Sequence, residues 1–363
     1  MASLLRFATA GSVDDGKSTL IGRLLHDAKA LHNDHVDAVA ASSARRGQHA
    51  FDLALVTDGL RAEREQGITI DVAYRYAATP RRTFVIADTP GHAQYTRNMV
   101  TGVSTVDLVL LLVDARQGVT EQTRRHACVA ATLGVSRLVL AVNKMDLVAW
   151  SEERFDEIAA ELAQLTMPLG FVEVTPIPLS ALEGDNVVDP SPDLAWYAGP
   201  TLLGYLEEVA VDRPAEASVG ARLAVQWVIR PRPGEAGGRR YAGTLAAGQL
   251  RTGDEVVALP GGRATRVAAV EVGGEPADVA EAGAAVSVAL VDDLDVGRGD
   301  LLAAAGARPA LTSELDATVC WFGDRPLRAG DRLTVLHGSR LTRAIVTALV
   351  DRLDVSALER RPA

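Results

Sequence analysis

From Leu4 to about Glu208, short runs of consecutive apolar residues alternate with stripes of helical period, the pattern of strands and crossover helices in a parallel sheet. Four runs predict strands: Leu4 to Ala10, Thr83 to Ala87, Leu108 to Val113 and Leu138 to Val142. The last three are almost unbroken in hydrophobicity, as strands covered by helices on both faces are. Leu20, Ile21, Leu24, Leu25, Ala28 and Leu31 share one stripe of a helix predicted to begin near Ser18. After Val209 the pattern changes. Val211-Asp212-Arg213-Pro214-Ala215-Glu216 reads as a linker, and beyond it glycines and prolines separate short β-branched runs at Arg222 to Ile229, Glu255 to Leu259, Thr265 to Val272 and Ala285 to Leu290. A second break, Ala305-Gly306-Ala307-Arg308-Pro309, precedes strand-like runs at Ala317 to Phe322, Arg332 to Leu336 and Ala344 to Val350. The pattern therefore predicts an α/β domain with a doubly wound, mostly parallel sheet over residues 1–210, a β-barrel domain over 217–304, and a further, incomplete β-barrel over 310–363.

One segment recurs. Arg251-Thr252-Gly253-Asp254 and the strand-like run to Leu259 are echoed by Arg328-Ala329-Gly330-Asp331 and the run to Leu336. Two readings stand: a Gly-Asp turn of the common kind used twice, or a duplicated barrel element.

Composition narrows the function classes. With 363 residues, 48% hydrophobic and 23% charged, the chain has the make-up of a folded globular protein. The net charge of −10 and an aromatic content of 4% argue against a general nucleic-acid binder, which needs basic and stacking surface, so no nucleic acid is expected as a partner. Cys128 and Cys320 are the only cysteines, too few for a disulfide framework or a four-thiolate metal site. No apolar run approaches the roughly 20 residues of a membrane helix, and the N-terminus runs straight into a glycine loop, so a cytoplasmic protein without membrane attachment is expected. Lysine occurs three times among 37 basic residues, at Lys17, Lys29 and Lys144. Two of the three lie in the motifs described next.

Gly11-Ser12-Val13-Asp14-Asp15-Gly16-Lys17-Ser18 fits G-x-x-x-x-G-K-[ST], follows a predicted strand and opens a predicted helix. Glycines let backbone amides close on phosphates, Lys17 offers a charge to the β- and γ-phosphates, Ser18 reaches Mg²⁺, and the helix start with Thr19 favours the anion. Asn143-Lys144-Met145-Asp146 ends the last clear sheet strand, where an open α/β sheet places its ligand. The Asp146 carboxylate can accept from guanine N1–H and the exocyclic amine, a donor pair adenine lacks. Asn143 can meet the other base edge, and Lys144 can lie along the ring. The combination predicts GTP with Mg²⁺.

Asp88-Thr89-Pro90-Gly91-His92 follows the apolar run ending at Ala87, so Asp88 is the expected acid on the Mg²⁺ side. Gly91 leaves an amide for the γ-phosphate, and His92 is placed to orient an attacking water. In Gly67-Ile68-Thr69-Ile70-Asp71, the Thr69 hydroxyl can complete the Mg²⁺ shell when a γ-phosphate is present. Catalysis thus rests on His92, Lys17 and Thr69, and the metal on Ser18, Thr69 and Asp88. His26, His32 and His35 lack acid or cysteine partners at ligand spacing and read as solvated helix faces, so zinc is not expected. Arg61 to Glu65 reads as an exposed charged face.

In this order and followed by β-domains, the motifs resemble the translation-factor class of GTPases, in which a P-loop GTPase domain is joined to two β-barrels. The stretches Thr57 to Asp71 and Asp88 to Met99, with Ser12 and Asp15 where elongation factor Tu has histidines, resemble the large, GTP-binding subunits of bacterial sulfate adenylyltransferase. That resemblance implies GTP hydrolysis driving ATP plus sulfate to adenylyl sulfate plus pyrophosphate in a separate small catalytic subunit, which would be the partner and would bind ATP and sulfate. It also implies that Ser180-Ala181-Leu182 contacts guanine O6 through backbone and that Val13 and Ile68 form an apolar gate before His92. Family members commonly extend beyond Ala363, which is why the last barrel is expected to be short of strands. Some carry an adenylyl-sulfate kinase, but that needs a second phosphate-loop lysine and none follows Lys144. The alternative at this stage is an elongation-factor-like GTPase delivering aminoacyl-tRNA.

Overall fold

The computed structural model describes residues 3–28, 71–210, 219–231, 238–355 and 359–362. They fall into two compact units: Met1–Val211 with Thr318–Asp324 and Val350–Ala363, and Asp212–Ala317 with Arg325–Leu349.

The first unit is built on a six-stranded sheet of β1 (Ser3–Ala10), β2 (Ala73–Ala78), β3 (Arg82–Asp88), β4 (Leu108–Asp114), β5 (Arg137–Asn143) and β6 (Glu173–Pro178), in the order β2-β3-β1-β4-β5-β6. All neighbours are parallel except β2 and β3. The four strands read from apolar runs are present, and the sheet is doubly wound as expected. Alternation along β1 shows the two faces: Leu5 and Phe7 join one core cluster, Ala8 and Ala10 the other. The first cluster packs under α1 (Lys17–Asp27) and α5 (Leu202–Glu208), the second under α2 (Thr96–Val103), α3 (Glu121–Thr132) and α4 (Glu152–Thr166). The predicted stripe of α1 is buried through Leu20, Ile21, Leu24 and Leu25, each contributing about 2 kcal/mol by apolar burial. Thr120, Ser151 and Thr201 cap α3, α4 and α5 by accepting from backbone amides of Thr123, Arg154 and Gly204.

Two strands were not expected, β2 and β6. Both lie at sheet edges. β6, Glu-Val-Thr-Pro-Ile-Pro, carries two prolines, tolerated where the missing N–H faces away from a neighbour. At the opposite end of the sheet, the buried Arg82 guanidinium donates from Nη1 to Leu206 O (3.0 Å) and Val209 O (2.6 Å), tying the start of β3 to the end of α5.

In the second unit, β7 (Arg222–Ala224), β9 (Arg240–Ala247), β11 (Glu255–Leu259), β12 (Arg263–Val272), β15 (Ala285–Leu290) and β16 (Leu301–Ala304) pair in a ring, β11-β16-β7-β9-β15-β12, closed by β11–β12. Every strand pair is antiparallel, so this is the predicted barrel. Its core includes Leu223, Val225, Tyr241, Leu245, Val256 and Val288. The expected single run from Arg222 to Ile229 is two strands, β7 and β8 (Trp227–Ile229), because Val225 N turns to Asp300 O (2.9 Å). Short strands β10 (Gln249–Arg251) and β14 (Val279–Glu281) pair with each other, and β13 (Glu275–Ala277) folds back to pair antiparallel with the end of β12.

Farther along, β17 (Arg332–His337) pairs with β18 (Arg340–Ile345), and β19 (Asp351–Asp354) with β20 (Glu359–Pro362). The run expected at Ala317 to Phe322 forms no strand: Cys320 packs against the core of the first unit instead of pairing. The run expected at Ala344 to Val350 ends at Ile345. The recurring Gly-Asp segment is one turn built twice. Asp254 Oδ2 accepts from Arg251 N at 2.7 Å and Asp331 Oδ2 from Arg328 N at 2.9 Å, with Gly253 and Gly330 at φ +92° and +89°. Each turn then feeds a hairpin, β11–β12 and β17–β18.

Candidate functional site

The carboxyl ends of β1, β3, β4 and β5 converge the motifs. Gly11 (φ +148°) and Gly16 (φ +93°) occupy backbone conformations that side chains disfavour, and a Cβ at Gly16 would collide with Asn143 Nδ2. α1 begins at Lys17 with no side-chain cap and no acidic residue in its first turn, which holds half-buried Ser18 and Thr19. Its open amides and dipole therefore suit an anion. Lys17 is buried, and its Nζ donates to Gly11 O (3.0 Å) and Ser12 O (2.6 Å). Burial pulls the Lys17 ammonium below its usual range, against the nearby Asp15, Asp88 and Asp14. Asp15 is buried too and accepts from Ser12 N at 2.5 Å; burial pushes its carboxyl up, with Lys17 acting the other way. Val13 and Asp14 lie exposed at the loop tip.

Asp88 ends β3 buried, accepting from Thr9 Oγ1 at 3.1 Å, while Thr89 Oγ1 donates to Thr9 O at 2.5 Å. Pro90 and Gly91 are buried. A Cβ at Gly91 would strike Lys17 Nζ and come 2.8 Å from Gly11 O, so this glycine backbone lies directly on the phosphate loop. His92 is exposed; its Nδ1 accepts from Gln94 N at 3.4 Å and its ring stands 5.9 Å from that of Tyr95. Thr69 and Ile68 lie outside the described residues, as do His32, His35 and Arg61 to Glu65. Among the described residues no cluster of three or more His, Cys, Asp or Glu could hold a metal unaided.

At the base end, Asn143 is a clasp: Nδ2 donates to Asp15 O (2.7 Å) and Oδ1 accepts from Ala181 N (2.8 Å). Both ends of its amide thus bond to protein, and the second Nδ2 hydrogen is left for a further acceptor. Lys144 Nζ donates to Asp14 O at 2.5 Å and pairs with Asp114 Oδ2 at 2.9 Å. Met145 is fully buried beneath. Asp146, in the short 3₁₀ turn Met145–Val148, has a buried Oδ1 with no hydrogen-bond partner. Ser180 and Ala181 are buried, Leu182 is 64% exposed, and Arg23 reaches the Ala181 carbonyl from Nε (3.4 Å).

The Elongation factor Tu GTP binding domain family matches residues 2–245. The "Sulfate adenylyltransferase subunit 1" of Aeromonas hydrophila is 48% identical over 359 residues, 98% of this chain and 75% of that protein. Its counterpart in Vibrio vulnificus is 49% identical, over 99% and 76%. The chain belongs to the sulfate adenylyltransferase subunit 1 family. The "Bifunctional enzyme CysN/CysC" of Mycobacterium tuberculosis is 55% identical over 99% of the chain, which spans 59% of that protein's length. Among solved structures, the Saccharomyces cerevisiae Ski7 GTPase-like domain, bound to GDP and inorganic phosphate, superposes with a TM-score of 0.56 at 18% identity, covering 99% of this chain and 88% of its own. That likeness is one of fold.

In this member of the sulfate adenylyltransferase subunit 1 family, three groups that the motifs did not reveal support the site. Asp114, at the end of β4, receives Arg116 Nη2 at 2.6 Å as well as Lys144. Burial alone would raise its carboxyl, but those hydrogen bonds bring it down to about 2. An acid closing the apolar run Leu108 to Val113 at the ligand-bearing edge of the sheet was the available signal. His126, fully buried on α3, accepts from Gly11 N at Nδ1 (3.0 Å), and Thr120 Oγ1 meets Ser12 Oγ at 2.8 Å. Burial, then Lys17 and Arg125, push the His126 imidazole down to about 3. No local sequence pattern links α3 to the phosphate loop.

Proposed function

We propose that the chain binds GTP with Mg²⁺ and hydrolyses it as the GTPase subunit of a sulfate adenylyltransferase, with ATP and sulfate held by a separate small catalytic subunit in the cytoplasm. The observation that carries the nucleotide reading is the unpartnered, buried Asp146 Oδ1 beside a lysine clasped to the phosphate loop. An orphaned buried acceptor is costly unless a ligand donates to it, and guanine N1–H and its amine are a donor pair of that kind. No helix among the described residues is long and apolar enough to cross a membrane.

On this reading the amides from Val13 to Thr19 receive the phosphates, and Lys17 exchanges its bonds with the Gly11 and Ser12 carbonyls for the β- and γ-phosphates. The Ser18 hydroxyl, the single buried Asp88 carboxylate and Thr69 would hold Mg²⁺, which supplies positive charge across those phosphates; one carboxylate with hydroxyls and phosphate oxygens suits this ion. Gly91 presents its amide to the γ-phosphate. His92, with Nδ1 engaged by Gln94 N, turns Nε2 to the water whose oxygen attacks the γ-phosphorus as the β–γ bridging bond breaks, giving GDP and phosphate. Val13 and Ile68 would form the apolar gate through which His92 reaches that water.

Forming the phosphate–sulfate anhydride of adenylyl sulfate is uphill, so hydrolysis must be linked to a conformational step that commits adenylyl transfer in the partner. The test is GTP turnover by this chain with the small subunit and ATP, with and without sulfate. Turnover that rises with both partner and sulfate is expected. GTP-dependent retention of aminoacyl-tRNA, with turnover indifferent to partner and sulfate, would overturn the reading.

A further inference from the structure

The buried imidazole of His126 has no part in the chemistry above, yet it holds the first residue of the phosphate loop. Gly11 is gripped at both ends of its backbone: its N–H donates to His126 Nδ1 at 3.0 Å, and its carbonyl accepts from Lys17 Nζ at 3.0 Å. Only glycine fits there, because φ is +148° and a Cβ would stand 2.8 Å from the Leu112 carbonyl, so the backbone hydrogen bonds rather than a side chain must hold it. A second bond, Ser12 Oγ to Thr120 Oγ1 at 2.8 Å, ties the next loop residue to the cap of the same helix. Thr120 is itself fixed by the capping box with Thr123.

The ring can accept at Nδ1 only when its proton sits on Nε2, where the Gln122 side-chain amide lies 2.7 Å away. The Gly11 N–H therefore sets the tautomer; Gln122 stands with its Nε2 2.7 Å from the ring and its Oε1 accepting from Arg125 Nη1 at 3.2 Å, and it meets Nε2–H as an acceptor when its amide turns the oxygen inward. We propose that His126 is a positioning residue: as a neutral acceptor with Gln122 against its other nitrogen, it fixes the Gly11 amide and thereby holds the loop in its nucleotide-receiving shape, slowing guanine-nucleotide release. This rests on the GTPase reading above and names the part of the fold that sets nucleotide residence time.

The experiment follows release of the fluorescent analogue mant-GDP from the full chain with Mg²⁺ present, beside the thermal midpoint of each variant. His126→Leu fills much of the volume but cannot accept, and is expected to speed release about tenfold. His126→Asn places an amide oxygen close to the Nδ1 position and is expected to restore release to within about threefold of wild type. Gln122→Leu, at a half-buried position that leaves the core intact, is expected to speed release about threefold, and Gln122→Glu, an obligate acceptor for Nε2–H, to leave it unchanged. Should His126→Leu fail to fold, the Gln122 pair carries the same test. Release by His126→Asn as fast as by His126→Leu, or equal release by Gln122→Leu and Gln122→Glu, would show that ring volume rather than the acceptor matters and overturn the proposal. Wild type that retains no mant-GDP overturns the GTPase reading instead, and this inference with it.

Discussion

The phosphate end and the base end of the site are finished to different degrees. At the phosphate end every strong group is already engaged: Lys17 with two carbonyls, Asp15 with Ser12 N, Gly11 N with His126. At the base end Asn143 and Lys144 are likewise engaged, but one buried oxygen of Asp146 has no partner. A ligand must displace bonds to enter the first and need only supply donors to the second. On the proposed function, discrimination between bases is built in before binding, whereas phosphate recognition requires exchange of one set of contacts for another.

The sharpest break of that contrast is Lys17→Ala. It removes the exchanged group itself and is expected to weaken GTP by about a thousandfold, about 4 kcal/mol, in a calorimetric titration. A loss below tenfold would mean that the lysine stays with its carbonyls. His92→Ala leaves both ends intact and is expected to preserve GTP affinity while slowing single-turnover hydrolysis several hundredfold, between 3 and 4 kcal/mol on the barrier at ~1.4 kcal/mol per decade; unaltered hydrolysis would remove His92 from the mechanism. Asp146→Asn tests the open oxygen. GTP should weaken about a hundredfold, near 2.7 kcal/mol, while xanthosine triphosphate gains, because an amide donor then faces a carbonyl. Unchanged preference between the two nucleotides in a competition assay would show that Asp146 does not read the base.

Asn143→Ala sharpens the comparison by cutting the clasp between the ends. Orphaning Asp15 O and Ala181 N is expected to cost about 2 kcal/mol in urea unfolding and to weaken GTP and xanthosine triphosphate equally, since the two bases differ only at the edge assigned to Asp146. A selective loss of one would show that cutting the clasp disturbs Asp146 as well. The smallest effect is on acid stability. Folded His126 stays neutral to about pH 3, facing Lys17 and Arg125, while in the unfolded chain it protonates at its ordinary 6.5. Between those values the unfolded chain holds the extra proton, so stability falls as pH drops below 6.5, by up to about 1.4 kcal/mol per pH unit. His126→Asn should flatten that slope between pH 7 and 5; an identical slope assigns the acid sensitivity to other groups.

How much of this was readable beforehand depended on whether a constraint was local. The phosphate loop must place glycines at Gly11 and Gly16 because no other residue fits those conformations beside Leu112 and Asn143, so its chemistry is written within a few positions. The interior strands were legible because burial on both faces demands unbroken apolar runs. Edge strands obey no such demand: β2 alternates exposed Tyr74 and Tyr76 with Ala73, Arg75 and Ala77, and β6 admits two prolines. His126 and Thr120 were invisible for another reason. Their contacts to Gly11 and Ser12 join segments more than a hundred residues apart, and only the winding of α3 beside β4 brings them together. The expected strand at Ala317 to Phe322 failed because one residue, Cys320, finds cover against the first unit's core, a contact that periodicity does not encode.

Arg82 has a mechanical consequence. Its guanidinium holds the carbonyls of Leu206 and Val209, the last described turn before the chain passes toward the barrel, and it stands at the opposite end of β3 from Asp88. A strand of seven residues spans about 20 Å and hardly stretches. A buried cation gripping those carbonyls thus stands at the root of a stiff rod whose tip carries Asp88, on the proposed function an acid of the nucleotide site. The last described turn of the first unit and, on the proposed function, the place that meets the γ-phosphate share one beam.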